Sequence, residues 1–510
     1  MNKKRFTINM VANIITFVIN LSINFILSPF IVENLGVEAN GFVTLSNTIV
    51  SYANVFTVAL NSMFGRYISV EIHRGNQEKA KKYFSTVFYA NCISAFAFSI
   101  IGIIFSVNVD SFLEVPVELL VDVKLTFALT FANYIVGLLT TVFNVSTFVR
   151  NRLDLSSLSN IVQYFVRALG LLVLFVLFPA HIFFVPLAGL LMTIVGRTMY
   201  ASFAKKLTPE LKIDRKLFTP SLAINIVKEG AWFSLQQFNK ILETGLDLLI
   251  SNQMINGVAM GRLSIAKTVP NMIYQLTTTI ANVFSPMYAE SYAEKKKEQL
   301  IKQVKLSISC MSIILMPIMT GFIVFGQDFY RLWQPTLDEK AINQVQILSV
   351  LTVLPTLFNG YVEGLYYINT LTKKVKTSVL VSFGFSLAAI ICEVVLLLTT
   401  DGGVYIIAGT SAVFMSIRYL VFTPFYCAYV LKIKWYTFMK KLYRAVAISI
   451  IELVVFLLMH RLMMIDSWIS FFVSIAIAGF VGYIIAILLV PTKDERGKLI
   501  QIIKKKTTKG

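Results

Sequence analysis

Charge is scarce in this chain. Asp, Glu, Lys and Arg make up 14% of its 510 residues, against 56% apolar residues and 41 phenylalanines. A soluble protein of this length needs a charged surface, and no interval here is polar enough to build one. Long apolar runs recur from end to end instead, the pattern of membrane spans. That pattern overrides the two or three soluble domains that length alone suggests. Cysteine is scarce too. Cys92, Cys310, Cys392 and Cys427 each lie inside an apolar run without metal-ligand spacing. They read as small buried residues, imply no metal centre and say nothing of redox compartment. Walker A, HExxH and G-x-S-x-G patterns are missing, which argues against ATP hydrolysis and covalent catalysis. No cofactor and no enzymatic activity are expected.

What is present is a series of apolar segments. Fourteen are predicted as helices, at 9–33, 41–69, 84–106, 119–148, 155–178, 182–203, 226–253, 261–288, 303–325, 342–370, 377–400, 404–430, 445–462 and 467–491. The fold class is thus an all-α polytopic membrane protein. Met1-Asn2-Lys3-Lys4-Arg5 before an apolar stretch mimics a signal peptide, but the stretch is too long and lacks a small-x-small cleavage site. It reads as an uncleaved first span.

The net charge of +19 raises the question of nucleic acid, and the placement of the charges answers it. Alternate linkers hold 35 of the 46 basic residues, in clusters such as Lys79 to Lys82, Lys205 to Lys216, Lys295 to Lys305, Lys432 to Arg444 and the tail from Lys493; the opposite linkers hold Arg331, Lys340 and Arg461. Lys and Arg gather in cytoplasmic loops. Both termini are therefore expected in the cytoplasm of a multi-pass protein of the cell membrane, and nucleic acid is not an expected partner.

An internal repeat is expected from Gly41-Phe-Val-Thr-Leu-Ser-Asn-Thr48 and Gly261-Arg-Leu-Ser-Ile-Ala-Lys-Thr268, each following a Gly-Val turn, with Phe64 and Phe284 at the same offset of about 220. Repeats of this kind occur in transporters with a site between the halves. The expected organisation is a six-helix lobe at 1–203, a basic linker at 204–225, a second six-helix lobe at 226–430, and two extra helices with a basic tail at 431–510.

Polar residues run along single faces of the repeat-equivalent spans. Span 1 carries Asn9, Asn13, Thr16, Asn20 and Asn24. Span 2 carries Asn47, Ser51, Asn54 and Asn61. Span 7 carries Gln236, Lys240, Glu243 and Asp247, and span 8 carries Lys267, Asn271, Gln275, Thr278 and Asn282. Spacings of three and four put each set on one helix face. Hydrogen-bonded glue between helices is one reading. A water-filled cavity between the lobes is the more economical one for four equivalent helices.

Intramembrane charge points to function. The cations are Arg167, Lys240, Lys267 and Arg418, with Arg262 outward of Lys267; the anions are Glu243, Asp247, Glu363, Glu393 and Glu452. Arg167 shares a face with Asn160 and Gln163. Lys228 and Arg197 read as snorkelling side chains near the cytoplasmic interface, and Glu452 as an interhelical hydrogen-bond partner. Arg and Lys suit a phosphate-bearing cargo, although Lys240 with Glu243 also fits an i,i+3 ion pair. Glu243 and Asp247, one turn apart on a continuous helix, could share a proton or hold a cation.

The segment Asn61-Ser-Met-Phe-Gly-Arg66-Tyr-Ile-Ser-Val-Glu-Ile-His-Arg74-Gly-Asn-Gln-Glu-Lys-Ala-Lys-Lys, with Arg262-Leu-Ser-Ile-Ala-Lys267-Thr-Val-Pro270 and Val283-Phe-Ser-Pro286-Met-Tyr-Ala, resembles the polysaccharide transporter (Wzx-type flippase) branch of the multidrug/oligosaccharidyl-lipid/polysaccharide (MOP) exporter superfamily. The resemblance implies a V-shaped pair of six-helix bundles that flips an undecaprenyl-pyrophosphate-linked glycan by alternating access, often driven by H+ or Na+. Lys240, Lys267, Arg262 and Arg418 would then meet the pyrophosphate. Arg167, Asn271, Gln275, Asn20, Asn24 and Asn47 complete the expected substrate-binding set, and Glu243 and Asp247 are the expected ion-coupling pair. Membrane lipids and polysaccharide polymerase machinery are the other expected partners. Fourteen helices also fit the lipid II flippase branch, where the extra pair forms a groove for the lipid tail. A multidrug exporter would favour an acidic cavity. A glycan polymerase would need a substantial outward loop, and the longest here is 326–341. A non-transporting assembly scaffold is the remaining alternative.

Overall fold

A computed structural model describes residues 18–19, 22–150, 152–244 and 246–492. Among the described residues it is helical without strands, and eleven helices are long and apolar enough to cross a membrane. The helices are α1 (Ser22–Leu35), α2 (Val37–His73), α3 (Gln77–Val107), α4 (Val117–Val149), α5 (Leu153–Leu177), α6 (Phe184–Leu207), α7 (Pro220–Thr244), α8 (Asp247–Met254), α9 (Gly257–Ala281), α10 (Ser285–Ala293), α11 (Lys297–Trp333), α12 (Glu339–Leu371), α13 (Val375–Thr399), α14 (Val404–Val430), α15 (Tyr436–His460) and α16 (Trp468–Leu489). The eleven are α2 to α6 and α11 to α16. The three remaining predicted spans, 1, 7 and 8, are three of the four that bear polar stripes. Helices α7 and α9 have 25 residues each, about 37 Å at 1.5 Å per residue, so polarity rather than length sets them apart.

The expected span 226–253 is not one helix. It ends at Thr244 and resumes at Asp247 after a bend at Leu246. The expected span 261–288 is likewise interrupted, by a 3-10 turn at Asn282–Phe284 that leads into α10. Asn9, Asn13, Thr16 and Asn20 lie outside the described residues, as does the tail from Lys493.

The turns between helices repeat a single solution. Gly75 has φ +76 and Lys295 has φ +57, and these two positions are 220 residues apart. Around each, the residue after it donates its N–H back across the turn, Asn76 to the Glu71 carbonyl and Lys296 to the Ser291 carbonyl, both at 2.9 Å. This is the left-handed helix terminus that satisfies orphan carbonyls. Lys373 and Lys432 adopt the same backbone, with Lys374 and Ile433 closing the loop onto Asn369 and Ala428. Helices α5 and α13, beginning at Leu153 and Val375, have 25 residues each.

By internal packing the chain divides into two units, Met1–Ser264 and Ile265–Gly510. The division thus falls at Ser264, not in the 204–225 linker, because α7 lies along α2 in unit one. Gly230 makes that approach possible, since a Cβ there would overlap the carbonyl oxygen of Ala59. Tyr67 donates to Glu229, and Ser234 to the Val55 carbonyl, on either side of it. The start of α9 meets the start of α2 in the same unit. Asn40 Nδ2 donates to Ser264 Oγ at 2.9 Å, and a Cβ on Gly41 would lie 3.0 Å from the Gly261 Cα. The linker is docked rather than loose: the Asp214 N–H donates to Ser85 Oγ at 3.0 Å, and Leu211 joins the core formed by Leu60, Phe64, Phe84 and Val145. Unit two has its own core, in which Met311, Leu315, Leu357, Tyr361 and Leu442 are buried.

Candidate functional site

The polar stripes emerge with different fates. On α9, Asn271 and Gln275 are exposed and make no side-chain hydrogen bond among the described residues. Gln236 and Lys240 are exposed on α7, and the Asn47 amide returns to its own helix, at the Val43 carbonyl. Amides serving as glue look different: Asn61 and Asn91 exchange hydrogen bonds of 3.2 and 3.1 Å between α2 and α3, and Asn282 accepts from Tyr367. So Asn61 and Asn282 join helices, while Gln236, Asn271 and Gln275 keep their amides open.

Lys267 is 6% exposed on α9 in unit two, and Arg262 is half-buried at the opposite side of the unit boundary in the chain. Asn24 is half-buried on α1. Glu243, at the end of α7, accepts from Asn239 Nδ2 at 2.6 Å. Asp247 opens α8 and is buried, where the positive end of the helix favours a carboxylate; it lies within electrostatic reach of Tyr52 on α2. The helix break therefore falls in the chain between the two carboxylates that a continuous span would have stacked one turn apart.

Arg418 is buried on α14 at the first residue of a π-helical segment, Arg418–Phe422. Such segments cluster at functional sites. Its Nη2 donates to Tyr366 OH at 3.5 Å and its guanidinium lies 4.6 Å from the Tyr419 ring centroid. Tyr366 OH donates to Asn359 Oδ1 at 3.2 Å, and Asn359 Nδ2 to Glu363 Oε2 at 2.8 Å. The sequence flagged Arg418 and Glu363 separately; their joining through Asn359 and Tyr366 is a tertiary fact. Glu393 accepts from Ser411 Oγ at 2.8 Å between α13 and α14, and Glu452 is fully buried beside Thr320 and Gly482.

In unit one, Arg167 is half-buried on α5, one turn beyond Gln163, whose amide is held by Ser159 at 3.0 Å and packs into the space left by Gly196. Arg197 does not read as a snorkelling side chain. It is partly buried and its Nη1 donates to Asn144 Oδ1 at 3.0 Å. The sequence signal for it was available, since Arg197 precedes Arg418 by nearly the repeat offset.

Unit two also contains an apolar groove of about 580 Å³. Its walls come from α9 (Val269, Ile273), α11 (Pro317, Phe322), α15 (Phe456) and α16 (Gly479). Charged side chains are absent from its lining. Val269 follows Lys267 by two residues, so the groove and a buried cation share one helix.

A sequence profile described as polysaccharide biosynthesis protein matches residues 35–332. The chain is 28% identical over 514 residues to the uncharacterized membrane protein EpsK of Bacillus subtilis (strain 168), covering 99% of each chain. Its fold is similar to an inward-facing multidrug resistance MATE family transporter of the MOP superfamily, with TM-score 0.65, 14% identity, 82% of this chain and 96% of that one. It is also similar to the lipid II flippase MurJ in an inward closed conformation, with TM-score 0.64, 16% identity, 94% of this chain and 97% of that one. The match over more than half the chain, on a bundle of apolar helices with the fold of membrane transporters, shows that this chain belongs to the polysaccharide biosynthesis protein family.

Proposed function

We propose that this protein is a flippase that carries an undecaprenyl-pyrophosphate-linked oligosaccharide repeat unit across the cytoplasmic membrane by alternating access, with both termini on the cytoplasmic side. The observation that carries this reading is the apolar groove of unit two, walled in part by the helix that also bears the buried Lys267. A lipid-linked saccharide has three chemically distinct parts, and each needs its own surface. The polyprenyl tail suits a groove walled largely by phenylalanines and aliphatic side chains. The pyrophosphate suits ammonium and guanidinium groups, for which Lys267 and Lys240 are the candidates, with Arg262 and Arg167. The sugars suit open amides such as Asn271 and Gln275, since hydroxyl-rich cargo needs donors and acceptors, and Asn47 is assigned to the same group from its place on a polar helix face. Asn24 is assigned to the same group, and Asn20 remains a candidate from its sequence position.

Two six-helix halves followed by α15 and α16 are the organisation supported by the recurring turns at Gly75 and Lys295. Glu243 and Asp247, on either side of a helix break, are the proposed coupling pair, because broken helices gather helix ends and backbone carbonyls around ions in transporters. A groove suited to a long tail favours a lipid-linked cargo over a free drug. Purified protein in liposomes loaded with a polyprenyl-pyrophosphate glycan tests the proposal: cargo should become accessible to an impermeant lectin or glycosidase on the far side. Inactivity with intact cargo, while a cationic drug is transported, would replace it with the multidrug reading.

A further inference from the structure

Each unit places one arginine on its α6 or α14 helix against a 3-10 interruption in its α4 or α12 helix. Arg197 donates to Asn144, the last residue of the turn Thr141–Asn144. Arg418 donates to Tyr366, the residue following the turn Glu363–Leu365. The arginines are 221 residues apart, and Asn144 and Tyr366 are 222 apart, so the two contacts are one contact built twice.

Their surroundings have diverged. Arg418 is 5% exposed, enclosed by Tyr366, Tyr419 and Met415, and its network ends on the Glu363 carboxylate through Asn359. Shifted by the same 222 residues, Asn359 and Glu363 correspond to Gly137 and Thr141. Unit one therefore lacks both the amide and the carboxylate. Arg197 Nη2 passes over bare Gly137, 3.8 Å from where a Cβ would stand. Asn144 is the one acceptor that Arg197 meets among the described residues, and its Nε is buried without a partner. Tyr200 is an ionisable neighbour, and among the described residues Arg197 forms no ion pair with a carboxylate.

A guanidinium has five N–H donors, and here a single hydrogen bond engages it. A cation inside a spanning helix without a counter-charge is costly, and the oxygens of a phosphate match guanidinium donors that have no acceptor. The geometry points to Arg197, oriented by Asn144, as a binding site for a lipid-borne phosphate, with Arg418 retained as its structural counterpart. The phosphate is that of the cargo or that of a membrane phospholipid. The cargo arm alone rests on the flippase reading.

The full-length protein in phosphatidylcholine nanodiscs separates the two. Titration with polyprenyl pyrophosphate and, separately, with phosphatidylglycerol gives an affinity for each probe. A charge-assisted contact of about 1.5–3 kcal/mol predicts a loss of about 10- to 150-fold in Arg197→Gln. Thr141→Glu installs the carboxylate that unit two has, and is expected to produce a similar loss with the arginine still in place. Arg418→Gln is expected to lower the melting temperature. Loss for polyprenyl pyrophosphate alone assigns the site to the cargo; loss for phosphatidylglycerol, alone or with the first, assigns it to bilayer phosphate. If the parent protein binds phosphatidylglycerol through Arg197 but no polyprenyl pyrophosphate, the site stands and the flippase reading falls. Parent affinity for both probes in folded Arg197→Gln and Thr141→Glu overturns the site.

Discussion

Filling the groove of unit two separates a tail-binding surface from a simple packing defect. Gly479 lines it on α16, and a Cβ there meets nothing within 4 Å. Gly479→Phe therefore adds a ring into open space, without clash, and replaces a poor helix former with a better one, a gain of a few tenths of a kcal/mol. The fold should tolerate it. A polyprenyl tail displaced from the groove returns to bilayer hydrocarbon, not to water, so no hydrophobic transfer term is at stake. What is lost is fitted packing, in which a side-chain-sized segment makes about 40–60 contacts of about 0.1–0.2 kcal/mol, most of them regained in the lipid. A net loss of about 1–2 kcal/mol corresponds to about 5- to 30-fold. Flipping measured at limiting cargo in proteoliposomes should fall by that factor, while the melting temperature is held or raised. Gly384→Phe on α13, where a Cβ also meets nothing within 4 Å but which lies outside the groove, serves as the control and should transport at the parent rate. Parent-rate flipping by Gly479→Phe, with the control equally active, would refute the assignment of the tail to this groove.

Lys240→Ala and Lys267→Ala should each abolish glycan export at unchanged membrane protein level, and full export by the double variant removes both from cargo recognition. Glu243→Gln and Asp247→Asn should flip cargo at a rate insensitive to imposed proton or sodium gradients; a preserved gradient response makes the pair structural. For orientation, an impermeant thiol reagent added outside intact cells should label a cysteine placed at Gly402 and spare one placed at Lys296. The reverse labelling inverts the topology.

Much was legible in the sequence because membrane physics is one-dimensional at first order. A backbone in hydrocarbon must satisfy its own hydrogen bonds, so an apolar run of sufficient length is a helix. The helices α2 to α6 and α11 to α16 follow from that alone. The expected repeat rested on Gly41 to Thr48 and Gly261 to Thr268 instead; the left-handed turns at Gly75 and Lys295 are local structures, set by residues close in the chain. Periodicity also indicated which faces were polar.

Tertiary structure decided what those polar faces do. Asn61 and Gln275 are both amides on polar faces; one is bonded to Asn91 and the other is open, because only the first has a partner helix at hydrogen-bonding distance. The interruption between Thr244 and Asp247 was hidden, since a helical pattern of polar residues runs straight through it. Gly230 gave no periodic signal, yet the absence of its Cβ lets α7 lie against the Ala59 carbonyl. Arg197 and Arg418 carry the same side chain at equivalent positions; only the residues across from them, Gly137 and Thr141 against Asn359 and Glu363, leave one cation open and enclose the other. Span and face are properties of a segment and its solvent, whereas charge compensation is a property of what lies across the helix interface, which only the folded chain brings there.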